Sequence, residues 1–346
     1  MAPTATRPDV FFMLLPVMVL LTISVAASTA WISDWKESLW DLFVSPGILK
    51  RIMITMFALV NWKNMPLAWT FRVFYHITHN IYIRRSPRLG PRALFKPIVS
   101  ATYTSVFEID YNFHKSNSTF FTDIDVSRAH LVSYLLRPAM TNLVHNTSSH
   151  FILDPKTGKP MKGALGILLG SVQCTFHKEV GLYKRYELWS RVLCWDRKWL
   201  YILTHFLPAG TAKPTSWLNA GFGGSKARTD SDPVDDLERK VQATAISKYV
   251  FKLGRLTVHP GRILDNSELL PERPGGWTEG GEEQLGDVSI NLSDTDLTVD
   301  GEWDWRRVEI QRRKGMTIAA RFHALDEAKG LFDGGEDGVL ACTGFD

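Results

Sequence analysis

Between Arg185 and Val192 the chain alternates without interruption, with Tyr186, Leu188, Ser190 and Val192 interleaved with Arg185, Glu187, Trp189 and Arg191. Successive side chains of a strand point to opposite faces, so the stretch reads as a half-buried strand. One strand cannot cover its own apolar face and needs partners. Period-two or wholly apolar candidates occur at His150 to Leu153, Leu165 to His177, Tyr183 to Cys194, Trp199 to Phe206 and Ile246 to His259. Ahead of them, Asn117 to Leu136 sets Phe120, Ile124, Leu131 and Leu135 at helical spacing, with Asn117 or Ser118 available as N-cap and Pro138 beyond the end. One amphipathic helix followed by an antiparallel run predicts an α+β domain over residues 95–264.

The flanking segments differ in character. From Val10 to Ser33 there is no charged residue, a run long enough to cross a bilayer as a helix of about 20 residues, and this predicts a transmembrane anchor within residues 1–33. A cleaved signal peptide is the competing reading, since Ser28 to Ala30 offers small residues for a cleavage site. Residues 34–94 stay apolar and aromatic but are broken by Pro46, Lys50, Arg51, Lys63, Pro66 and Arg72. Such a pattern fits membrane-proximal amphipathic helices or core helices, ending here in the basic linker Arg84, Arg85, Ser86, Pro87, Arg88. Residues 265–302 are acidic and Gly-rich and read as a disordered linker, and Pro208 to Asp236 reads as a long inserted loop. Within residues 303–346, Ile318, Phe322 and Leu325 share one helical face, predicting a terminal helix that packs back or binds a partner. The location expected is a membrane, single-pass, with the endoplasmic reticulum as the candidate; Arg7 before the run and Asp34, Lys36 and Glu37 after it do not set the orientation.

Composition removes several function classes. A net charge of +4 from 40 basic and 36 acidic residues, with no basic cluster on one element, gives no nucleic-acid surface. Cys174, Cys194 and Cys342 have no C-x-x-C spacing, so neither a disulfide framework nor a cysteine zinc site is expected. Six of the ten histidines fall between His114 and His205 without metal-ligand spacing, and no metal or cofactor is expected. Gly221, Gly223 and Gly224 with Ser225 and Lys226 lack P-loop spacing and read as a flexible turn. Glycosylation sequons at Asn117, Asn146 and Asn291 matter only on a lumenal or secreted side, and one on Asn117 favours a cytosolic domain.

The chemistry concentrates ahead of the helix. Glu108, Ile109, Asp110, Tyr111, Asn112, Phe113, His114, Lys115, Ser116 and Asn117 place a carboxylate and an imidazole just before a helix N-terminus. Free backbone N–H groups there, with the positive end of the helix dipole, suit a carbonyl oxygen that is becoming negative. An exposed Asp is ionised at neutral pH and is able to attack a carbonyl or activate water. The same residues also serve as caps and turn formers, so the local pattern alone leaves both readings open.

The spacing resembles the 4-hydroxybenzoyl-CoA thioesterase type of hot-dog family, D-x-x-G-H-x-N-N-x-x-Y followed by an acid and an arginine on the helix. Asp110, His114, Asn117, Phe120, Asp125 and Arg128 stand at those positions. NFHKSNSTFFTDIDVSR is similar to the membrane-anchored thioesterase-superfamily-member-six group, which reads close to LHMNNARYLREADFAR, and Leu182 to Ile202 is similar to that group as well. The latter stretch also resembles the thioesterase-like proteins of fungal secondary-metabolite clusters. The resemblance implies a hot-dog fold, an antiparallel sheet wrapped around one central helix, dimeric, taking acyl-CoA or acyl-carrier-protein thioesters. It implies Asp110 as nucleophile or general base, His114 as the group positioning substrate or water, and Lys115, Ser116, Asn117 and Ser118 as the helix N-terminus that polarises the carbonyl. Phe113 replaces the family glycine, Ser116 its first asparagine and Phe120 its tyrosine; Phe113 is expected to crowd the backbone approach. Asp125 and Arg128, three apart, are expected to pair with each other. A thioester hydrolase on a membrane is the first expectation; a silent acyl-binding hot-dog protein and a hot-dog hydratase or dehydratase, suggested by Asp110, Asn112 and His114, are the alternatives.

Overall fold

The alternating stretch is a strand in the computed structural model, which describes residues 47–84, 89–154, 156–214, 218, 237–277 and 303–331. The expected anchor, the glycine cluster, the Asn291 sequon and most of both linkers lie outside these residues. No helix among the described residues is long and apolar enough to cross a membrane. The chain divides into two units, residues 1–68 and 69–346. The described part of the smaller unit is α1 (Ile48–Val60) and a 3-10 turn at Trp62–Asn64. The larger unit holds all but the first residue of α2 (Ala68–Thr78), which continues through a π-helical turn at His79–Ile83. After it come β1 (Ile98–Tyr103), α3 (Phe120–Leu135), α4 (Arg137–Val144), α5 (Asn146–Ser149) and β2 (Leu165–Phe176). Next are β3 (Arg185–Trp195), β4 (Leu200–Pro208), β5 (Ala243–Leu253), β6 (Leu256–Val258), α6 (Pro260–Asn266) and α7 (Trp305–His323).

The strands form one antiparallel sheet in the order β1-β3-β4-β5-β2, with β6 paired to β5. The result is an α+β, hot-dog-like arrangement in which α3 lies against the sheet. Tyr186, Leu188, Ser190 and Val192 are all buried, as the alternation requires. On the α3 side, Phe120 and Ile124 pack with Tyr186, Leu188, Phe206, Ala243 and Ala245, while Leu131 and Leu135 join Val192, Trp195, Ile202 and Phe251. Ser190 is tolerated there because it bridges Ser127 at 2.7 Å and Thr204 at 2.8 Å, so a buried hydroxyl chain replaces water.

Some expectations shift. A strand precedes the helix: β1 pairs with β3 at the sheet edge, and its half-exposed side chains show no clean alternation. Residues 150–153 form no strand; Asn146 ties this stretch by donating to the carbonyls of Ile152 and Met161 at 2.8 Å and accepting from the Ile152 N–H at 2.7 Å. Asn146 is therefore buried, and its sequon is structural. The single strand expected from Ile246 to His259 is a hairpin, β5 to β6, turning at Gly254 with φ +59°. Pro138 starts α4 in its first turn, where its missing N–H costs nothing.

The terminal helix packs back, but on a different face from that expected. Val308, Gly315, Ala319 and Phe322 are buried, whereas Ile318 and Leu325 are exposed. Ala319 and Phe322 cover Leu193, Tyr201 and Leu203 on the sheet face away from α3, which explains why β4 is buried on both faces along most of its length. A Cβ on Gly315 would sit 2.4 Å from the Leu193 carbonyl oxygen, so only glycine allows this close approach.

Two polar contacts orient the elements around α3. Lys115 is buried with its Nζ 2.9 Å from Glu108 and 3.0 Å from Asp123, and Asp123 also takes a bond from Tyr186 Oη at 2.5 Å and from Arg72 Nη2 at 3.1 Å. Two buried carboxylates are thereby matched by two cations, the condition under which buried charge is sustainable. Burial and the adjacent Asp123 charge hold the Tyr186 hydroxyl well above its ordinary pKa, so it stays a donor. Replacing Lys115 with Met is expected to destabilise the larger unit by about 3–5 kcal/mol, since it strands Glu108 and crowds two carboxylates. Chemical denaturation checks this, and a loss under about 1 kcal/mol would remove Lys115 from the role given to it.

Further along, α2 meets α3 through stacked imidazoles, His76 on His130 at 4.3 Å between centroids. Burial first, then neighbouring cations, push His76 down to about 4 and His130 down to about 3, with Arg72, Arg84 and His79 among the charges facing them. The unfolded chain takes up these protons near 6.5, so stability is full above that pH and falls as pH drops toward 4. Thermal unfolding is expected to move to lower temperature between about pH 7 and pH 5, with a shallower dependence in His130→Gln. An identical slope in that variant would exclude the pair as the cause.

Candidate active site

Asp110 to Lys115 is a short hairpin whose backbone closes on itself. The N–H of Asp110 donates to the His114 carbonyl at 2.9 Å and that of Phe113 to the Asp110 carbonyl at 3.0 Å, while Ile109 and Lys115 form an antiparallel bridge. The Asp110 carboxylate accepts from the Asn112 N–H at 2.9 Å, an Asx turn that fixes the direction of the side chain. Asp110 itself is half-buried; Tyr111, at 90 % exposure, and Asn112 project into solvent.

Phe113 adopts φ +63°, the conformation that glycine accepts without penalty, and its ring is 71 % exposed. The expected crowding is thus expressed as backbone strain, of order 1–2 kcal/mol, with the ring turned outward. The hairpin tolerates this because it is held elsewhere. Glu108 lies beneath it, its carboxylate shared between Lys115 and the Ser105 N–H at 2.9 Å. His114 bridges to Gly181, and the Lys115 N–H donates to the Val180 carbonyl at 2.8 Å.

The proposed site residues fall into two groups. Asp110 and His114 sit at the two ends of the turn with side chains engaged separately, the His114 Nδ1 lying 3.1 Å from Glu179. Of the four residues at the helix start, Lys115 and Ser116 have their N–H groups occupied, the second by the Glu108 carbonyl at 2.7 Å. Asn117 and Ser118 are exposed in the 3-10 turn Asn117–Thr119 that leads into α3, and no acceptor among the described residues takes their N–H groups. The arrangement presents a directed carboxylate, an imidazole with an acidic partner, and two peptide donors at the positive end of a 16-residue helix. Such a set is able to activate water or attack a carbonyl carbon while its oxygen is stabilised.

Four contributors were absent from the sequence reading: Glu108 as an anchor, Asp123, Tyr186 and Glu179. Asp123 carried a usable signal, since it falls on the apolar stripe of α3 beside Phe120 and Ile124, where a carboxylate must find a buried partner. Asp125 and Arg128 do pair with each other, and Arg128, fully buried, also donates to Ser247 at 2.7 Å and covers the Tyr249 ring. Among the described residues no three His, Cys, Asp or Glu side chains gather as a metal site.

Comparison with known proteins places this geometry in context. The probable thioesterase atnL of Emericella nidulans is 31 % identical over 319 residues, 88 % of this chain and 94 % of that protein. Thioesterase poxG of Penicillium oxalicum is 35 % identical over 277 residues, covering 78 % and 82 % respectively. Thioesterase lcsJ of Purpureocillium lilacinum is 29 % identical over 296 residues, covering 77 % and 87 %. No family model matches the chain. A solved structure, the YbaW probable thioesterase of Escherichia coli, aligns at 9 % identity over 50 % of this chain and 97 % of that one, with a TM-score of 0.30. With this identity extending over nearly the whole of atnL, the chain belongs to the family of fungal thioesterases that includes atnL and poxG, and it is a thioester hydrolase.

Proposed function

We propose that this thioesterase releases an acyl or polyketide chain from coenzyme A or a carrier protein in secondary-metabolite biosynthesis, with Asp110 carrying the chemistry. The observation behind this reading is the Asp110 turn, which fixes a carboxylate by an Asx bond and ends on the open N–H groups of Asn117 and Ser118. The pathway class rests on the likeness of Leu182 to Ile202 to thioesterase-like proteins of fungal secondary-metabolite clusters.

In this reading the thioester oxygen accepts from the Asn117 and Ser118 N–H groups, where the helix dipole favours growing negative charge. As nucleophile, Asp110 adds to the carbonyl carbon, the C–S bond breaks, the thiolate takes a proton from water, and water then cleaves the mixed anhydride. As general base, Asp110 takes a proton from a water whose oxygen attacks the same carbon, and that proton leaves with the thiol. His114, steadied by Glu179, orients the water or the thioester. Lys115 and Ser116 contribute the shape of the turn.

The reading includes a single-pass anchor within residues 1–33 and a homodimer. For the dimer, β2 supports it: a 12-residue strand at the sheet edge, paired among the described strands only with β5, with Leu168 and Leu169 exposed. Sedimentation equilibrium of the detergent-solubilised chain is expected to give twice the protomer mass; a monomer would remove the dimer.

Two substitutions test the chemistry. Asp110→Asn is expected to lower thiol release from an acyl-CoA panel by about a hundredfold or more with an unchanged melting temperature. Undiminished release would exclude Asp110. Asn117→Pro deletes one peptide donor while keeping the helix start, because Ser116, at φ −59° and ψ 136°, already has the backbone that a following proline requires. It is expected to cut kcat by about a hundredfold with KM little changed, whereas Asn117→Ala retains the rate. Equal rates in both variants would place the oxyanion elsewhere.

A further inference from the structure

The helix α2 is built inside out. Its i, i+4, i+8 row, Arg72, His76 and Asn80, is polar and faces α3, where Arg72 meets Asp123, His76 stacks on His130, and Asn80 donates to Ser133 Oγ at 2.9 Å. The neighbouring i, i+4 row carries Phe71 and Tyr75, and these, with Trp69 at the start of α2 and Tyr82 and Ile83 in the π-helical turn, are all exposed. A helix of a water-soluble domain normally turns its apolar stripe to the core and its polar stripe outward. Here specific polar contacts lock the reverse orientation, so rotation about the helix axis cannot hide the aromatic side. The smaller unit has a similar surface, α1 exposing Leu49, Met53, Ile54, Met56 and Leu59 with Lys50 and Arg51 between them.

Charge selects the occupant. From Leu42 to Phe107 the sequence holds nine Lys or Arg residues and not one Asp or Glu. An apolar surface whose charged sequence neighbours are all cations, Lys50 and Arg51 among the exposed ones, is complementary to a bilayer carrying anionic headgroups, with Trp and Tyr at the depth where rings meet the polar boundary and basic side chains reaching the phosphates. A contiguous uncharged run from Val10 to Ser33 stands upstream in the same chain. We propose that the exposed aromatic side of α2 with its π-helical turn, and separately the exposed side of α1, each dock on an anionic lipid bilayer. The polar row on α3 then serves to hold the aromatic side of α2 outward.

Hydroxyl-radical footprinting of the full chain tests this, reconstituted in vesicles of phosphatidylcholine alone or with about 30 mol% phosphatidylserine. Trp69, Phe71, Tyr75 and Tyr82 are expected to lose reactivity severalfold on the anionic vesicles relative to the neutral ones, while exposed Ile318 and Leu325, on the C-terminal segment, do not. Lys50→Glu with Arg51→Glu is expected to shrink that difference. Equal reactivity on both vesicle types would overturn the proposal, as would protection that rises with protein concentration in lipid-free solution, which assigns the surface to a second copy. The readout is independent of thioester turnover, so it stands or falls apart from the assignment of Asp110.

Discussion

Lys115 is the point on which the geometry of the candidate site depends. Its ammonium lies between Glu108, which begins the Asp110 turn, and Asp123, which belongs to the first turn of α3. Tyr186 brings β3 to the same carboxylate, and Arg72 brings α2. The turn and α3, consecutive in sequence, thus meet two distant segments in one charge-balanced cluster out of water. Desolvating such ions costs several kcal/mol each, and the cost is offset only when every partner is present with good geometry. The cluster is therefore cooperative: it specifies one placement of the turn relative to the helix N-terminus, to within the reach of a hydrogen bond. A thioesterase needs that relation, because a carboxylate and an oxyanion donor must address opposite ends of one carbonyl group.

The rigidity supplied from below explains how the turn tolerates Phe113. An aromatic residue in the left-handed region would ordinarily drive a loop to another conformation. Here the Ile109–Lys115 bridge, the Lys115 N–H on Val180 and the Ser116 N–H on Glu108 fix both ends of the turn, so the strain is stored locally. The outward ring leaves the peptide groups of Asn117 and Ser118 to the site. A departure from the family glycine that reads in sequence as an obstruction is, in three dimensions, a matter of backbone energy.

What was legible in the sequence followed from period. The alternation through β3 and the helical spacing of Phe120, Ile124, Leu131 and Leu135 reported burial directly, because each residue on the stripe has its side chain in the core. Where period and burial part company, the reading failed. The edge strand β1 is half-exposed on both sides and carries no alternation. On α7 the buried row contains Glu309 and Arg312, charged residues whose ion pair and Trp195 carbonyl contact let them lie inside, so that of Ile318, Phe322 and Leu325 only Phe322 is buried. Of the candidate site, Asp110 and His114 stand out in the sequence by type and spacing, whereas Glu108 and Tyr186 are ordinary until the fold sets them around Lys115 and Asp123.

The same failure of the apolar rule on α2 is informative because nothing within the described protein repairs it. On α7, buried charges are paired and the apolar remainder is small. On α2, the polar row is satisfied by α3 while large aromatic rings face outward, so folding removes polar groups from water and leaves apolar ones in it. That imbalance is unfavourable in bulk water and favourable at an apolar boundary. Arg72 connects the two problems, since the residue that fixes the orientation of α2 also neutralises Asp123 beneath the Asp110 turn. Any force that moves α2 relative to α3 must therefore act on the charge balance that holds the site.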